Sequence, residues 1–241
     1  MTEQTSNCRI IWHQLPDATA LADALSRGLQ TQAQRALDDK DWVLIGLAGG
    51  STPLPAYADF AQSPMPWPKI GLCLIDERFV PLADLQSNER NIATAFQRIH
   101  SQLAGWHGLM HEDTDIISAA ELADQEIKSL QQAMDIVVLG IGADGHIASL
   151  FIESADYAAA MDVTGSASVL PIRFVDDADK VDRLSFSLPE LLKAEHVMLC
   201  ITGEAKRRVL QQSLDGNKPE YAIARFLRHY RHTIEIFWSP A

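Results

Sequence analysis

The feature that most constrains this chain is a series of short, continuous apolar runs separated by stretches long enough to be helices. Trp42 to Leu47, Ile70 to Ile75, Asp135 to Leu139, Val169 to Phe174, His196 to Ile201 and Ile234 to Trp238 are mostly rich in Val, Ile or Leu. Such runs read as strands buried on both faces, the condition of a largely parallel sheet. Between them Asn88 to Ile99, Ala119 to Ala133, Glu204 to Leu214 and Glu220 to Leu227 have helical character. Ahead of the first strand Asp17 is placed to cap a helix whose Leu21, Leu25, Leu29, Ala33 and Leu37 recur every four residues. The alternation predicts an α/β fold, one domain over residues 1–241, with a mainly parallel sheet and helices on both faces. Ser63 to Pro68 reads as a stiff loop, and Ser154 to Ser168 as the least structured stretch, a mobile loop near a site.

Charge narrows the partners. With 32 Asp and Glu against 20 Lys and Arg the formal charge is -12, so the surface as a whole repels nucleic acid and anionic membranes. An anionic ligand must then be held by local donors. The segment MTEQTSNCRIIWHQLP has neither a basic region nor an apolar run of signal length, and nothing later reaches the ~18 apolar residues of a membrane span. Cys8, Cys73 and Cys200 are odd in number and widely spaced, which fits neither a disulfide framework nor a zinc site. The expectation is a cytoplasmic protein, a reducing compartment being the simplest home for these thiols.

Ligands of an open α/β sheet bind outside the carboxyl ends of its strands, so the residues just after each apolar run carry the chemistry. Four places qualify. Gly49, Gly50, Ser51, Thr52 and Pro53 follow the first run: glycines let the backbone approach an anion, and the hydroxyls lie at a helix start. An ordinary capped turn explains them about as well. Asp76, Glu77 and Arg78 end the second run and are followed by Ser87, Asn88, Glu89 and Arg90. Asp76, Arg78, Ser87 and Asn88 are candidates there, although a solvated loop is the plain alternative. After the third run, Gly140-Ile141-Gly142-Ala143-Asp144-Gly145-His146 delivers an aspartate and a histidine together on a glycine-rich turn. Its G-x-G-x-x-G spelling also admits a dinucleotide site, but no convincing strand with an acidic end follows near Met161 to Ser168. His146 suits a general base, with Asp144 to orient it, and Gly142 lies in the same turn. Fourth, Thr202-Gly203-Glu204-Ala205-Lys206-Arg207-Arg208 sets cations in the first turn of a helix, unfavourable against the macrodipole unless an anion sits there. Arg183, opening the strand-like Arg183 to Leu188, is a candidate no stronger than a surface arginine on its own.

At these residues the chain resembles the 6-phosphogluconolactonase family, within the wider group of sugar-phosphate isomerases and deaminases related to glucosamine-6-phosphate deaminase. The match runs from Gly49 to about Leu210, and Asp144-Gly145-His146-Ile147-Ala148-Ser149-Leu150-Phe151 is its most specific part. Related deaminases follow the Asp-Gly-His turn with Ile-Ala-Phe-Asn-Glu-Pro, which supplies a further carboxylate; Ser149-Leu150-Phe151 stands there instead. Asp76-Glu77-Arg78 likewise looks like the lactonase pattern and not the deaminase Asp-Glu-Tyr. The resemblance implies a Rossmann-like domain whose Gly49 to Thr52 turn lines a sugar-phosphate pocket. It implies that Arg78, Arg183 and Lys206 hold the substrate with its phosphate, that His146 is the base, and that the partner is a phosphorylated sugar lactone met by a monomer or weak homodimer. Two departures stand out: Ile152-Glu153-Ser154 where the family continues with Pro-Gly, and no Asp-x-x-Ala after Trp238. The rival readings are an isomerase or deaminase of the same fold and a non-enzymatic sugar-phosphate sensor.

Overall fold

The computed structural model describes residues 2–4, 8–112, 114–175, 177 and 180–241; Met1 and residues 5–7 of the amino-terminal segment read above lie outside that set. In chain order the elements are β1 Thr2–Gln4, β2 Arg9–Gln14, α1 Ala18–Asp39, β3 Val43–Leu47, α2 Leu54–Phe60, β4 Ile70–Leu74, β5 Asp76–Arg78 and α3 Asn88–Phe96. They continue with β6 Gly105–His107, α4 Ile116–Ser129, β7 Ile136–Leu139, α5 Tyr157–Ala160, β8 Val169–Ile172, β9 Arg183–Phe186 and α6 Leu188–Leu192. β10 His196–Thr202, α7 Glu204–Leu214, α8 Ala222–His229 and β11 Thr233–Ser239 complete the chain.

The main sheet runs β1-β2-β11-β10-β7-β3-β4-β6 and is parallel throughout except at β1. β3, β4 and β7 are buried at every position, as their unbroken apolar sequences require. From β3 the chain winds outward through β4 to β6, then returns to place β7 on the other side of β3 and winds the opposite way through β10 to β11. That reversal between β3 and β7 leaves a crevice at their carboxyl ends. Helix α1 begins where Asp17 accepts from the Ala20 amide at 2.8 Å, and it buries Leu21, Leu25, Leu29 and Ala33.

Two sequence expectations need correction. Val169–Ile172 is a strand, but it joins β9 and β5 in a separate antiparallel sheet, order β5-β9-β8. Apolar content fixes that a strand is buried, not which sheet it enters. The stretch from Ser154 to Ser168 contains one short helix, α5, and buries Ala160 and Met161, with the Tyr157 hydroxyl donating to the Glu220 carbonyl at 3.0 Å, while residues 162–166 are exposed and outside helix and strand. Helix α4 starts at Ile116, three residues early, because the Asp115 carboxylate accepts from the Ile117 and Ser118 amides. Strands β2, β5 and β6 were not anticipated; β5 and β6 have only three residues each. Among the described residues no helix is long and apolar enough to cross a membrane.

Glu235 on β11 ties four elements together. Its Oε2 lies 2.6 Å from His13 Nε2 on β2 and its Oε1 2.8 Å from His196 Nε2 on β10, and Gln32 Nε2 on α1 donates to Oε1 at 2.8 Å. Burial alone would raise this carboxyl, but the hydrogen bonds of His196, His13 and Gln32, with the charge of His196, outweigh it and hold the group at about 2, from 4.5. A carboxyl depressed in the folded state stabilises above its unfolded value, and that contribution is lost as pH falls through the folded value. Its size is up to about 3 kcal/mol at neutral pH. The difference in unfolding free energy between wild type and Glu235→Gln should therefore shrink as pH drops from about 4.5 to about 2, measured by urea titration at each pH. A difference that stays constant over that window would show that Glu235 is not linked to acid stability.

Candidate active site

The crevice is a cavity of about 470 Å³. Gly49, Gly50, Ser51 and Thr52 line it from the loop after β3, and Asp76 and Arg78 from β5. Asn88 contributes from the start of α3, Gly142 and His146 from the turn after β7, Arg183 from β9 and Lys206 from α7. Of the residues expected at the site, eleven thus share one wall system; Asp144 and Ser87 do not line it.

Asp144 stands directly behind His146. Its Oδ1 is 2.6 Å from His146 Nδ1 and also accepts the His146 amide at 3.4 Å. Burial works to raise the Asp144 carboxyl, but the hydrogen bond and charge of His146 prevail and hold it below the usual range. An ionised carboxylate only accepts hydrogen bonds, so the proton between the pair sits on Nδ1, which leaves Nε2 as the nitrogen free to take up or give a proton. The turn has this shape because residue 142 is glycine. A Cβ there would lie 2.2 Å from both Asp144 Oδ1 and His146 Nδ1, and the Gly142 amide donates to the His146 carbonyl at 2.9 Å. Ala148, two residues on, holds the left-handed conformation at φ 47, an unfavourable choice for a residue with a Cβ, and lines the cavity.

Three cations share the cavity with His146. Arg78 and Arg183 face each other across the β5–β9 ladder, where like charges repel. Burial and then the Arg78 charge press Arg183 below its ordinary value. Arg78 Nη1 donates to the Gln86 carbonyl at 2.6 Å, while its buried Nε has no protein partner. Lys206 adds a third cation. Arg90 does not line the cavity, and Arg207 lies over the Trp238 ring at 4.3 Å.

Asp76 lines the cavity and is itself held by its neighbours. Its Oδ2 accepts from Ser149 Oγ at 2.7 Å, and Asn88 Nδ2 donates to its carbonyl at 3.0 Å and its Oδ1 at 3.4 Å. Ser149 in turn donates its amide to Ser185 Oγ at 3.1 Å. Asn88 Oδ1 is buried without a protein partner, and a Cβ on Gly49 would come within 2.0 Å of it. Ser87 is corrected from substrate contact to cap: fully buried, it accepts from the Arg90 amide at 3.0 Å and donates to Glu77 Oε2 at 3.0 Å.

Sequence reasoning missed Glu77 and Phe151. Glu77 is fully buried and accepts from the amides of Arg78 at 2.6 Å, Asn88 at 2.7 Å and Glu89 at 2.7 Å, besides Ser87. It fastens β5 to α3. Burial raises its carboxyl despite these donors. The signal was available in the two-residue period of a strand, which sends Asp76 and Arg78 to one face and Glu77 to the other. Phe151 lies 4.0 Å from the His146 ring, centroid to centroid, with the Arg183 guanidinium 5.8 Å from its own centroid. Cys200 also lines the cavity, but burial pushes its thiol up to about 12 against the opposing charge of Lys206, so it is no thiolate at neutral pH. Among the described residues no group of three or more His, Cys, Asp or Glu is placed to hold a metal ion.

An imidazole–carboxylate pair facing a cationic wall at the switch point of a parallel sheet defines an α/β enzyme of small anionic substrates. The family model described as glucosamine-6-phosphate isomerases/6-phosphogluconolactonase matches residues 16–238, and the chain belongs to that family. It is 31% identical over 238 residues to the 6-phosphogluconolactonase of Mesorhizobium japonicum, covering 99% of each chain. With that of Thermotoga maritima it shares 34% over 207 residues, covering 83% of this chain and 88% of the other. The crystal structure of a 6-phosphogluconolactonase from Shewanella baltica superposes with a TM-score of 0.86 at 25% identity, over 95% of this chain and 97% of that one.

Glu77 generates a stability prediction. Glu77→Ala leaves three backbone amides and a hydroxyl buried without their acceptor and should cost about 3 kcal/mol or more in urea unfolding. A loss under about 1 kcal/mol would mean that other groups or water replace the carboxylate.

Proposed function

We propose that the chain, acting as a single domain in the cytoplasm and as a monomer or weak homodimer, hydrolyses 6-phospho-D-glucono-1,5-lactone to 6-phospho-D-gluconate in the pentose phosphate pathway. The observation that carries this reading is His146, paired with Asp144 at 2.6 Å behind it, lining one cavity with Arg78, Arg183 and Lys206. A phosphate engages those cations through charge-assisted bonds, with the Gly49 to Thr52 turn beside them, and the lactone ring is thereby oriented toward His146.

His146 Nε2 takes a proton from a water molecule as its oxygen attacks C1. The carbonyl π electrons move to oxygen, and an arginine or a backbone amide of the glycine turns stabilises that oxyanion. When the tetrahedral intermediate collapses, the bond from C1 to the ring oxygen breaks and the imidazolium returns its proton to that oxygen. The product is an open-chain acid, which ionises in water. Asp144 stabilises the imidazolium between the two steps. Because the lactone is already an activated ester, the sequence calls on no metal or organic cofactor. The same turn offers no carboxylate after His146, which favours hydrolysis over the ring opening and isomerisation of the related deaminases.

Freshly generated lactone, followed with and without protein, tests this directly. Wild type should accelerate its disappearance, and His146→Ala should lower kcat by roughly 10²–10⁴-fold with little change in KM. Acceleration retained in full by His146→Ala would remove the base from the mechanism; no acceleration by wild type would overturn the reaction itself.

A further inference from the structure

The larger hollow of about 950 Å³ lies away from the crevice, between α1 and the sheet face formed by β2 and β11. Arg9 and His13 of β2, Glu235 of β11 and His196 of β10 line it from the sheet, and Arg27 and Arg35 from one face of α1. Its only carboxylate is already committed: Glu235 is engaged by both histidines and by Gln32. Arg27 pairs with Asp23 on its own helix. Arg9 and Arg35 have no ion-pair partner among the described residues, in a chain whose acidic side chains outnumber its basic ones 32 to 20. Two guanidinium groups, one on a strand and one on a helix, thus border from two sides a hollow whose Glu235 carboxylate is already engaged. Guanidinium forks match phosphate oxygens bidentately, and the hollow is about the size of a small-molecule site.

We propose that this groove is a second anion site, distinct from the crevice, which takes a phosphate-bearing small molecule between Arg9 and Arg35 above the His13–Glu235–His196 cluster. The carboxylate of Glu235 holds both imidazoles in place, and the His13 ring is stacked on Phe237 at 4.5 Å, so the floor of the site is rigid before a ligand arrives.

Inorganic phosphate, titrated into the full chain at constant ionic strength, is the probe, and the His13 and His196 ring resonances, assigned by single His→Asn variants, are the readout. Both should shift saturably in wild type and in Arg183→Gln, whose crevice is weakened. In Arg9→Gln/Arg35→Gln the apparent affinity should fall by at least about tenfold, roughly the loss of one good charge-assisted contact. Arg35→Gln alone, at a solvent-exposed position on the rim of the hollow, carries the same test should the double variant fail to fold. An absence of saturable shifts in wild type, or shifts undiminished when Arg35 is replaced, would overturn the site.

Discussion

The pairing of β3 with β7 is the contact on which the rest depends. Ile45, Gly46 and Leu47 align with Ile136, Val137 and Val138, and the Ala48 amide extends the ladder to the Val138 carbonyl at 3.2 Å. Both strands therefore end at the same level, and the two glycine-rich loops that follow them open side by side. One brings backbone and hydroxyl donors, the other the imidazole and its carboxylate. A shift in register would separate them by a residue's rise, about 3.3 Å, enough to take the base out of reach of anything held by the first loop. The antiparallel sheet closes the third side, because the Phe186 amide donates to the Ile75 carbonyl at 2.8 Å and so docks β9, with Arg183, against the end of β4.

The electrostatics of the crevice run against those of the whole molecule. A chain of formal charge -12 presents three cations to one small cavity, two of them opposed across a ladder and one of these desolvated enough to be held below its ordinary value. Unliganded, that arrangement is repulsive; an anion relieves it. The cost is carried partly by Glu77, a carboxylate buried so that its neighbours Asp76 and Arg78 are aimed correctly. Burial also raises Glu77, so its charge is less comfortable there than in water. Local stability is given up for geometry, the usual bargain at a functional site.

How much of this was legible in the sequence follows from what each signal measures. Continuous apolar runs such as Ile70 to Ile75 report burial on both faces, so the parallel strands were readable; Val169 to Phe174 reports the same burial and gives no hint that its partner is Arg183–Phe186 in another sheet. Strand-end position brought out Asp144, His146, Arg78 and the Gly49 to Thr52 turn because in this architecture place along the chain implies place in space. Ser87 sat in the same sequence neighbourhood as Asn88, yet a cap and a cavity residue differ only in which way each side chain turns, and adjacency does not record that. Arg183 and Lys206 lie far along the chain, and their convergence on one cavity depends on the crossovers between.

Phe151 shows why the turn after His146 matters chemically. Its ring lies 4.0 Å from the His146 ring, with the Arg183 guanidinium 5.8 Å from its centroid, and Phe174 packs edge-on against it at 5.4 Å. An aromatic ring there can neither donate nor take a proton, and it keeps water from reaching the imidazole along that side. The Ile152-Glu153-Ser154 departure leaves this intact: Ser154 is buried with its hydroxyl donating to the Phe151 carbonyl at 2.9 Å, and Glu153 pairs outward with Lys180 at 2.6 Å. The loop is held by these side-chain bonds. With a carboxylate in place of that ring a second titratable group would stand beside His146; with phenylalanine, the Asp144–His146 pair has no such neighbour at that position, which is the arrangement the proposed hydrolysis calls for.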